Sequence, residues 1–260
     1  MVDKGENKQP EEKERSKLSL RDKENIFLLI VFIGFAIWSF YDCGSYFIWV
    51  LEAGIPLGAV LILIATYKKF PLTRLSYYLI LLHSFVLLYG AHYGYAHAPL
   101  GDLMSDIFGF KHNHYDKIGH FAFGFFPVMI IREVIVRTTT MKKGKMLIFL
   151  TICVIGAAAA FYEVIEWVVS VLTNDPDFAA TQGDFWDPQK DMALAFVGSI
   201  LGHVVLMFIH TKEMLKRGFM TPEELGLVKE KTPEEIEKEK AEKKEFEDFR
   251  TKWKDKDKKD

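Results

Sequence analysis

The stretch MLIFLTICVIGAAAAFYEVIEWVVSVL, residues 146–172, is apolar apart from Glu163, Glu166 and a few small polar side chains, and it decides the fold class. A helix needs about 20 mostly apolar residues to cross the hydrocarbon core of a bilayer. Backbone groups in lipid must be hydrogen-bonded within their own segment, so such a run predicts a helix. The chain therefore crosses a membrane.

Five further runs of the same character lie along the chain. They predict an all-α fold, a polytopic membrane bundle whose domain covers residues 26–210. The flanking segments 1–25 and 211–260 are rich in Lys, Glu, Asp and Arg, and are expected to be hydrophilic tails, the second partly helical. The six predicted transmembrane helices are 26–41, 46–67, 75–96, 118–137, 146–172 and 191–210.

Overall composition resembles that of a soluble protein because the charges are averaged over membrane and tail segments. Half of the residues are apolar, 26% are charged and the net charge is −2. A charge this close to zero gives no reason to expect a nucleic-acid partner. The two cysteines, Cys43 and Cys153, suggest neither a disulfide framework nor a zinc ribbon.

The basic residues of the connecting segments indicate the orientation. Three basic residues fall in 68–74 (KKFPLTR) and three in 138–145 (TTTMKKGK), whereas 41–45 has none. The expected loops 97–117 and 173–190 lie on the same side as 41–45 if there are six spans, and the second contains four aspartates. Because Lys and Arg are enriched in cytoplasmic loops, both termini are expected to be cytoplasmic.

Ionisable side chains collect at the extracytoplasmic ends of the predicted spans. Asp116 and His120 are four residues apart and Glu163 and Glu166 three apart, so each pair shares a helical face; Glu52 falls at a similar depth. Charged groups in a bilayer cost about 2.5–3.5 kcal/mol each on insertion scales and usually face a bundle interior or a wet cavity. We predict a polar pocket formed by His92, His114, Asp116, His120, Glu163, Glu166, Asp184, Asp187 and Asp191.

Several of these residues also have a simpler structural role. Asp187 opens span 6 and is suited to cap that helix, and Asp116 favours the positive end of span 4. His114 lies in an expected loop and on its own is typical of a surface histidine. Glu163 and Glu166 are harder to explain, because two carboxylates on one apolar face must be paired, protonated or bound to a cation.

The residue types leave three functions open. The first is a membrane protein that binds a lipid or a cell-envelope precursor in this pocket; the bilayer is the other expected partner. The second is a metal-dependent membrane enzyme, with a divalent metal held by His120, Asp116, Glu163 and Glu166. The third is a proton-coupled transporter of a small solute. No HExxH, di-iron Glu-x-x-His or nucleophile-elbow pattern is present to decide among them.

Four motifs resemble the YjdF-like bacterial inner-membrane proteins and occur in the order found in that family. They are GAHYGYAHAPLG (90–101), NHYDKIGHFAFGFFPVMIIRE (113–133), FYEVIEW (161–167) and TQGDFWDPQKDMALAFVGSILG (181–202). The resemblance covers residues 25–210 and implies a multi-pass protein of the cell (inner) membrane. It implies no particular activity.

A more distant resemblance connects the chain with the VanZ-like membrane proteins. The shared arrangement is a DK-x-x-H start of one helix, a Glu-bearing helix, and then an Asp before a helix that contains glycines. By analogy this resemblance implies an envelope or lipid-linked role. The matching positions are Asp116, Lys117, His120, Glu163 or Glu166, Asp191, Gly198 and Gly202.

Overall fold

The computed structural model describes residues 19–174, 182–227 and 232–256, and within these ranges the secondary structure is helical. Six helical segments are long and apolar enough to cross a membrane, which confirms the predicted polytopic all-α fold. The helices are α1 (Leu20–Phe40), α2 (Tyr46–Thr66), α3 (Arg74–Tyr93), α4 (Pro99–Phe108), α5 (Tyr115–Phe125), α6 (Pro127–Thr138), α7 (Lys145–Thr173), α8 (Asp187–Lys216) and α9 (Pro233–Lys256).

The two ends of the bundle differ in charge, and we name them accordingly. The basic face carries the connections 67–73 and 139–144, and the acidic face carries 41–45, 94–114 and the described part of 174–186. Parts of the two predicted tails, residues 1–18, 228–231 and 257–260, lie outside the described residues.

The first and last spans begin earlier or end later than hydropathy indicates. Ser19 caps α1: its hydroxyl accepts a bond from the Asp22 N–H, and the Asp22 carboxylate accepts one from the Ser19 N–H at 3.0 Å. This capping box starts the helix within a charged segment. Likewise α8 runs from Asp187 to Lys216, beyond the predicted 191–210 at both ends. Averaged hydropathy does not detect the first and last turns of a helix when these turns consist of polar residues.

The fourth span is made of two helices, α5 and α6, that meet at Phe126 and Pro127. Proline lacks a backbone N–H and suits the first position of a new helix. The Phe126 N–H still donates to the Ala122 carbonyl at 3.0 Å, so the break is local. Together the two helices form one span, Tyr115–Thr138.

The connection 97–117, which was expected as a loop between two spans, contains a short helix, α4, that the sequence analysis did not predict. It ends at Gly109, whose φ of 70° is left-handed, the usual helix stop for glycine. The side chains of Leu100, Leu103 and Ile107 are exposed on one side of it. Such an amphipathic helix is typical of a segment that lies in the membrane interface.

The helices α5 and α8 cross with their backbones in contact. A Cβ at Gly124 would overlap the carbonyl oxygen of Ala195, and one at Gly198 would overlap that of Phe121. Small residues allow this close approach, as is common between membrane helices. The crossing places the first turns of α5 beside the first turns of α8, and α7 packs against both.

A second polar network, near the basic face, was not foreseen. The fully buried carboxylate of Glu133 accepts hydrogen bonds from the Thr73 N–H (2.9 Å), the Ser76 hydroxyl (2.7 Å) and Arg137 Nη1 (3.0 Å). The His210 ring lies 3.3 Å away. These bonds join α3, α6 and α8, and they leave Glu133 well satisfied, so the network is structural in character.

Candidate functional site

Six of the nine sequence-predicted site residues meet in the half of the bundle nearer the acidic face. We call this set of side chains the acidic cluster. The close crossing of α5 and α8 brings together the four members that lie on these two helices, and α7 contributes the other two. Its members are Asp116 and His120 of α5, Glu163 and Glu166 of α7, and Asp187 and Asp191 of α8.

The imidazole of His120 lies at the centre of the acidic cluster. Its Nε2 is 3.5 Å from Asp116 Oδ1 and 3.4 Å from Glu163 Oε1. The potential ligand atoms of the cluster form three overlapping sets, in each of which all atoms lie within 4.8 Å of one another. The sets are Asp116–His120–Glu166, His120–Glu163–Asp191 and Asp116–Asp187–Asp191.

A lysine already occupies the third of these sets. Lys117 Nζ donates to Asp191 Oδ2 at 2.8 Å and to Asp187 Oδ1, and it lies 3.6 Å from Asp116 Oδ2. Lys117 was not among the predicted pocket residues, although it is part of the VanZ-like pattern. The sequence feature that could have identified Lys117 as a pocket residue is its position beside Asp116 at the start of an apolar span.

Glu52, Tyr162 and Tyr95 extend the acidic cluster towards α2. The Tyr162 hydroxyl donates to Glu52 Oε2 at 2.9 Å, and Glu52 is buried. The Tyr95 ring fills the space left by Gly119, where a Cβ would come within 2.9 Å of it. Burial, together with the nearby Glu52 carboxylate, raises the pKa of Tyr95 well above its usual range, so its phenol stays neutral. Neither tyrosine was predicted.

A cavity of about 20 Å³ lies beside His120 and Asp116, and Tyr95 and Tyr162 complete its polar wall. That volume holds a single ion or water molecule.

Three polar atoms at the acidic cluster are buried without a hydrogen-bond partner among the described residues: Tyr95 OH, Glu163 Oε1 and Asp191 Oδ1. Asp191 is 1% exposed. Buried polar atoms are rarely left unsatisfied, so these three point to an ion or a water molecule.

The other three predicted residues are not members of the acidic cluster, although His114 and Asp184 lie close enough to Lys117 to interact with it electrostatically. His92 Nδ1 is bonded to the Ser39 carbonyl at 3.0 Å, on the far side of α3. His114 precedes α5, and burial lowers its pKa. Asp184 is paired with Lys190, and this hydrogen bond lowers the pKa of Asp184.

Comparison with known proteins identifies the family. Residues 24–212, which cover four of the six spans completely and most of the first and the last, match the family described as "Predicted membrane protein (DUF2238)". The chain belongs to this family. The chain is also similar to the inner membrane protein YjdF of Escherichia coli (strain K12), to which it is 38% identical over 175 residues, 66% of this chain and 84% of that protein. No solved structure matches the chain at a significant level.

Membership of the DUF2238 family confirms the YjdF-like resemblance that the four sequence motifs carry. With six apolar helices, it makes this chain a multi-pass inner-membrane protein. These matches do not bear on the VanZ-like resemblance, which stays a prediction.

Proposed function

We propose that this protein binds a divalent metal ion in the acidic cluster and works as a metal-dependent membrane protein. The observation that carries the proposal is the set of overlapping His and carboxylate ligand triads around His120. Carboxylates this close together must be neutralised by protons or by cations. Lys117 supplies one cation, and it contacts all three members of only one triad; each triad that contains His120 has two carboxylate or imidazole members that Lys117 does not pair with.

The unsatisfied oxygens support a cation more strongly than shared protons. Asp191 has one oxygen bonded to Lys117 and the other without a partner, and Glu163 Oε1 faces His120 without a hydrogen bond. A bound cation would satisfy both oxygens at once. Ligands that are mostly carboxylate with one imidazole suit Mn²⁺ and Zn²⁺.

A metal at this position favours the enzyme hypothesis among the three. Bound Zn²⁺ or Mn²⁺ polarises a phosphoryl or carbonyl oxygen and activates water. His120 would hold the metal with Glu163 and Asp191, whose unpartnered oxygens it would satisfy. Asp116 and Glu166 form a ligand set with the same imidazole, and the neutral Tyr95 phenol could donate a hydrogen bond to a bound oxygen. This chemistry is consistent with hydrolysis of a substrate, or transfer of one of its groups, at an atom that carries a negatively charged oxygen.

Direct binding of a lipid headgroup by the protein side chains is less consistent with the geometry. The cavity of about 20 Å³ is too small for a headgroup, and the excess of carboxylates would repel a phosphate. A metal would reverse that repulsion. A lipid or cell-envelope precursor with a phosphate group would then be the ligand class, approaching from the acidic face.

A transport path through the bundle would have to open a tightly packed layer. Val128, Met129 and Ala195 are fully buried between the acidic cluster and the Glu133 network. The backbones of α5 and α8 touch within this layer at Gly124 and Ala195. A proton-coupled transporter is therefore the weakest candidate, and uptake into proteoliposomes under a pH gradient would measure it.

The orientation proposed with this function places both termini in the cytoplasm and the acidic cluster in the extracytoplasmic half. The basic connections 67–73 and 139–144 support it. The cluster would then face substrates outside the cytoplasm.

Metal analysis of the detergent-purified protein tests the proposal. The wild type and the His120→Ala/Glu166→Gln variant are incubated with Zn²⁺ or Mn²⁺, desalted and measured by mass spectrometry of the elements. We expect the wild type to retain stoichiometric metal and the variant to lose affinity by about tenfold or more.

The matched control is His92→Ala/Asp184→Asn, which removes one imidazole and one carboxylate outside the acidic cluster. It should retain metal as the wild type does. A wild type that holds no metal under any of these conditions would overturn the proposal, as would equal binding by the cluster variant.

A further inference from the structure

A second, much larger cavity lies between α1, α2 and α3, away from the acidic cluster. Its volume is about 530 Å³, within the range of about 300–1,000 Å³ typical of small-molecule sites. Its walls are apolar and include Phe32, Val60 and Leu81. Polar side chains line it at one end, where Asp22, Asn25, Tyr67, Lys68 and Tyr77 lie near the basic face. We call it the basic-side groove.

The groove is as deep as one leaflet of a bilayer. On α1 it runs from Asp22 to Phe32, which is about 15 Å along the helix axis. The whole hydrocarbon core is about 30 Å thick, so the groove starts at the basic face and ends near the middle of the membrane. Ile26 and Ile64 of its rim are 42% and 56% exposed, so it is open sideways to lipid.

The acidic side chain at the polar end, that of Asp22, is already engaged. The Tyr67 hydroxyl donates to Asp22 Oδ1 at 2.5 Å and accepts from Asn25 Nδ2 at 3.1 Å. Lys68 and Lys69, in contrast, are exposed and make no ion pair within the described ranges 19–174, 182–227 and 232–256. The groove therefore combines an apolar wall with unpaired positive charge at its mouth.

We propose that the basic-side groove binds an anionic phospholipid from the leaflet on the basic side. One acyl chain lies along α1 and α3, and the phosphate lies near Lys68 and Lys69. Basic sites beside membrane helices favour anionic headgroups, and an acyl chain matches a groove of one-leaflet depth. A transmembrane helix from another chain does not match it, since such a helix spans both leaflets.

Lipid titration of the full-length, detergent-purified protein tests this site. Native mass spectrometry measures binding of phosphatidylglycerol and phosphatidylcholine with identical acyl chains. Leu81→Trp fills the groove, and Lys68→Glu/Lys69→Glu reverses the charge at its mouth. Their matched controls are Leu61→Trp, which faces outward from α2, and Lys143→Glu/Lys145→Glu elsewhere on the basic face.

We expect the wild type to prefer phosphatidylglycerol by roughly tenfold or more, the preference that two lysines at a membrane surface provide. Leu81→Trp should weaken binding of both lipids, and the charge reversal should abolish the preference alone. Both controls should behave as the wild type. Equal binding of the two lipids by the wild type, or unchanged binding by Leu81→Trp, would overturn the proposal. If Leu81→Trp does not fold, the charge reversal decides.

Discussion

The ammonium of Lys117 lies 2.8 Å from Asp191 Oδ2, where the first turns of α5 and α8 meet. The same ammonium contacts Asp187 and lies 3.6 Å from Asp116. An internal cation thus fills one ligand triad of the acidic cluster and leaves the two triads that contain His120. Lys117 joins the two helices, and it limits how much negative charge a metal ion has to neutralise.

Replacement of Lys117 by Met is expected to destabilise the protein by about 3 kcal/mol, the usual result of removing one partner from a buried ion pair. Thermal unfolding in detergent measures the change. Added Mn²⁺ should recover part of the loss, because a second metal can occupy the vacated triad. Lys190→Met is the control: it breaks a pair whose lysine side chain is 54% exposed, and should change stability by less than about 1 kcal/mol.

Metal should stabilise the folded protein in a way that depends on His120. A ligand present at 100 times its dissociation constant raises the free energy of unfolding by about 2.7 kcal/mol. We expect such a rise with Zn²⁺ or Mn²⁺ for the wild type and for His92→Ala. His120→Ala should show a rise of about 1.4 kcal/mol or less at the same metal concentration, because binding that is at least tenfold weaker leaves the metal at no more than ten times its dissociation constant. An equal rise in all three proteins would place the metal elsewhere.

A mutation in the Glu133 network should not change metal binding by the acidic cluster. Glu133→Ala removes the acceptor for Thr73, Ser76 and Arg137, and we expect a loss of about 3 kcal/mol in stability with metal content unchanged. Glu24→Ala is the control, because its partner Arg74 is 60% exposed, and its effect should stay below about 1 kcal/mol. Loss of metal from Glu133→Ala would show that the networks are coupled.

The fold was predictable because hydropathy over a span outweighs local detail. The depth of each ionisable group along its span was predictable as well, and helical spacing paired Asp116 with His120 correctly as neighbours on α5. Depth alone does not fix the direction in which a side chain points. His92 lies at a similar depth but on another face of α3, where it meets Ser39.

Other features depend on information that a hydropathy reading lacks. α4 has ten residues, too few for a span, and its apolar side chains lie on one face only. The Glu133–His210 contact joins residues 77 positions apart on α6 and α8, and the close crossing of α5 and α8 depends on Gly124 and Gly198. Tyr95 enters the acidic cluster because Gly90 and Gly119 leave room for its ring. Such spatial fits are properties of the packed bundle.

The crossing of α5 and α8 should tolerate no side chain at Gly124. We expect Gly124→Ala to destabilise by about 1–3 kcal/mol through overpacking against Ala195, and to reduce metal binding because α5 and α8 must separate. Gly54→Ala, in α2, is the matched control. No atom lies within 4 Å of its added Cβ, so the gain in helix propensity should stabilise by up to about 1 kcal/mol. Similar stability losses for both variants would contradict the close crossing.

Cysteine labelling tests which side of the membrane the acidic cluster faces. In a Cys43→Ala/Cys153→Ala background, Phe185→Cys and Lys69→Cys place one thiol on each face; Phe185 is 83% exposed and Lys69 is also exposed. A membrane-impermeant maleimide is expected to label Phe185→Cys in intact spheroplasts and Lys69→Cys only after lysis, because Lys and Arg are retained in the cytoplasm. The reverse pattern would place the acidic cluster in the cytoplasmic half, and any substrate would then have to be sought inside the cell.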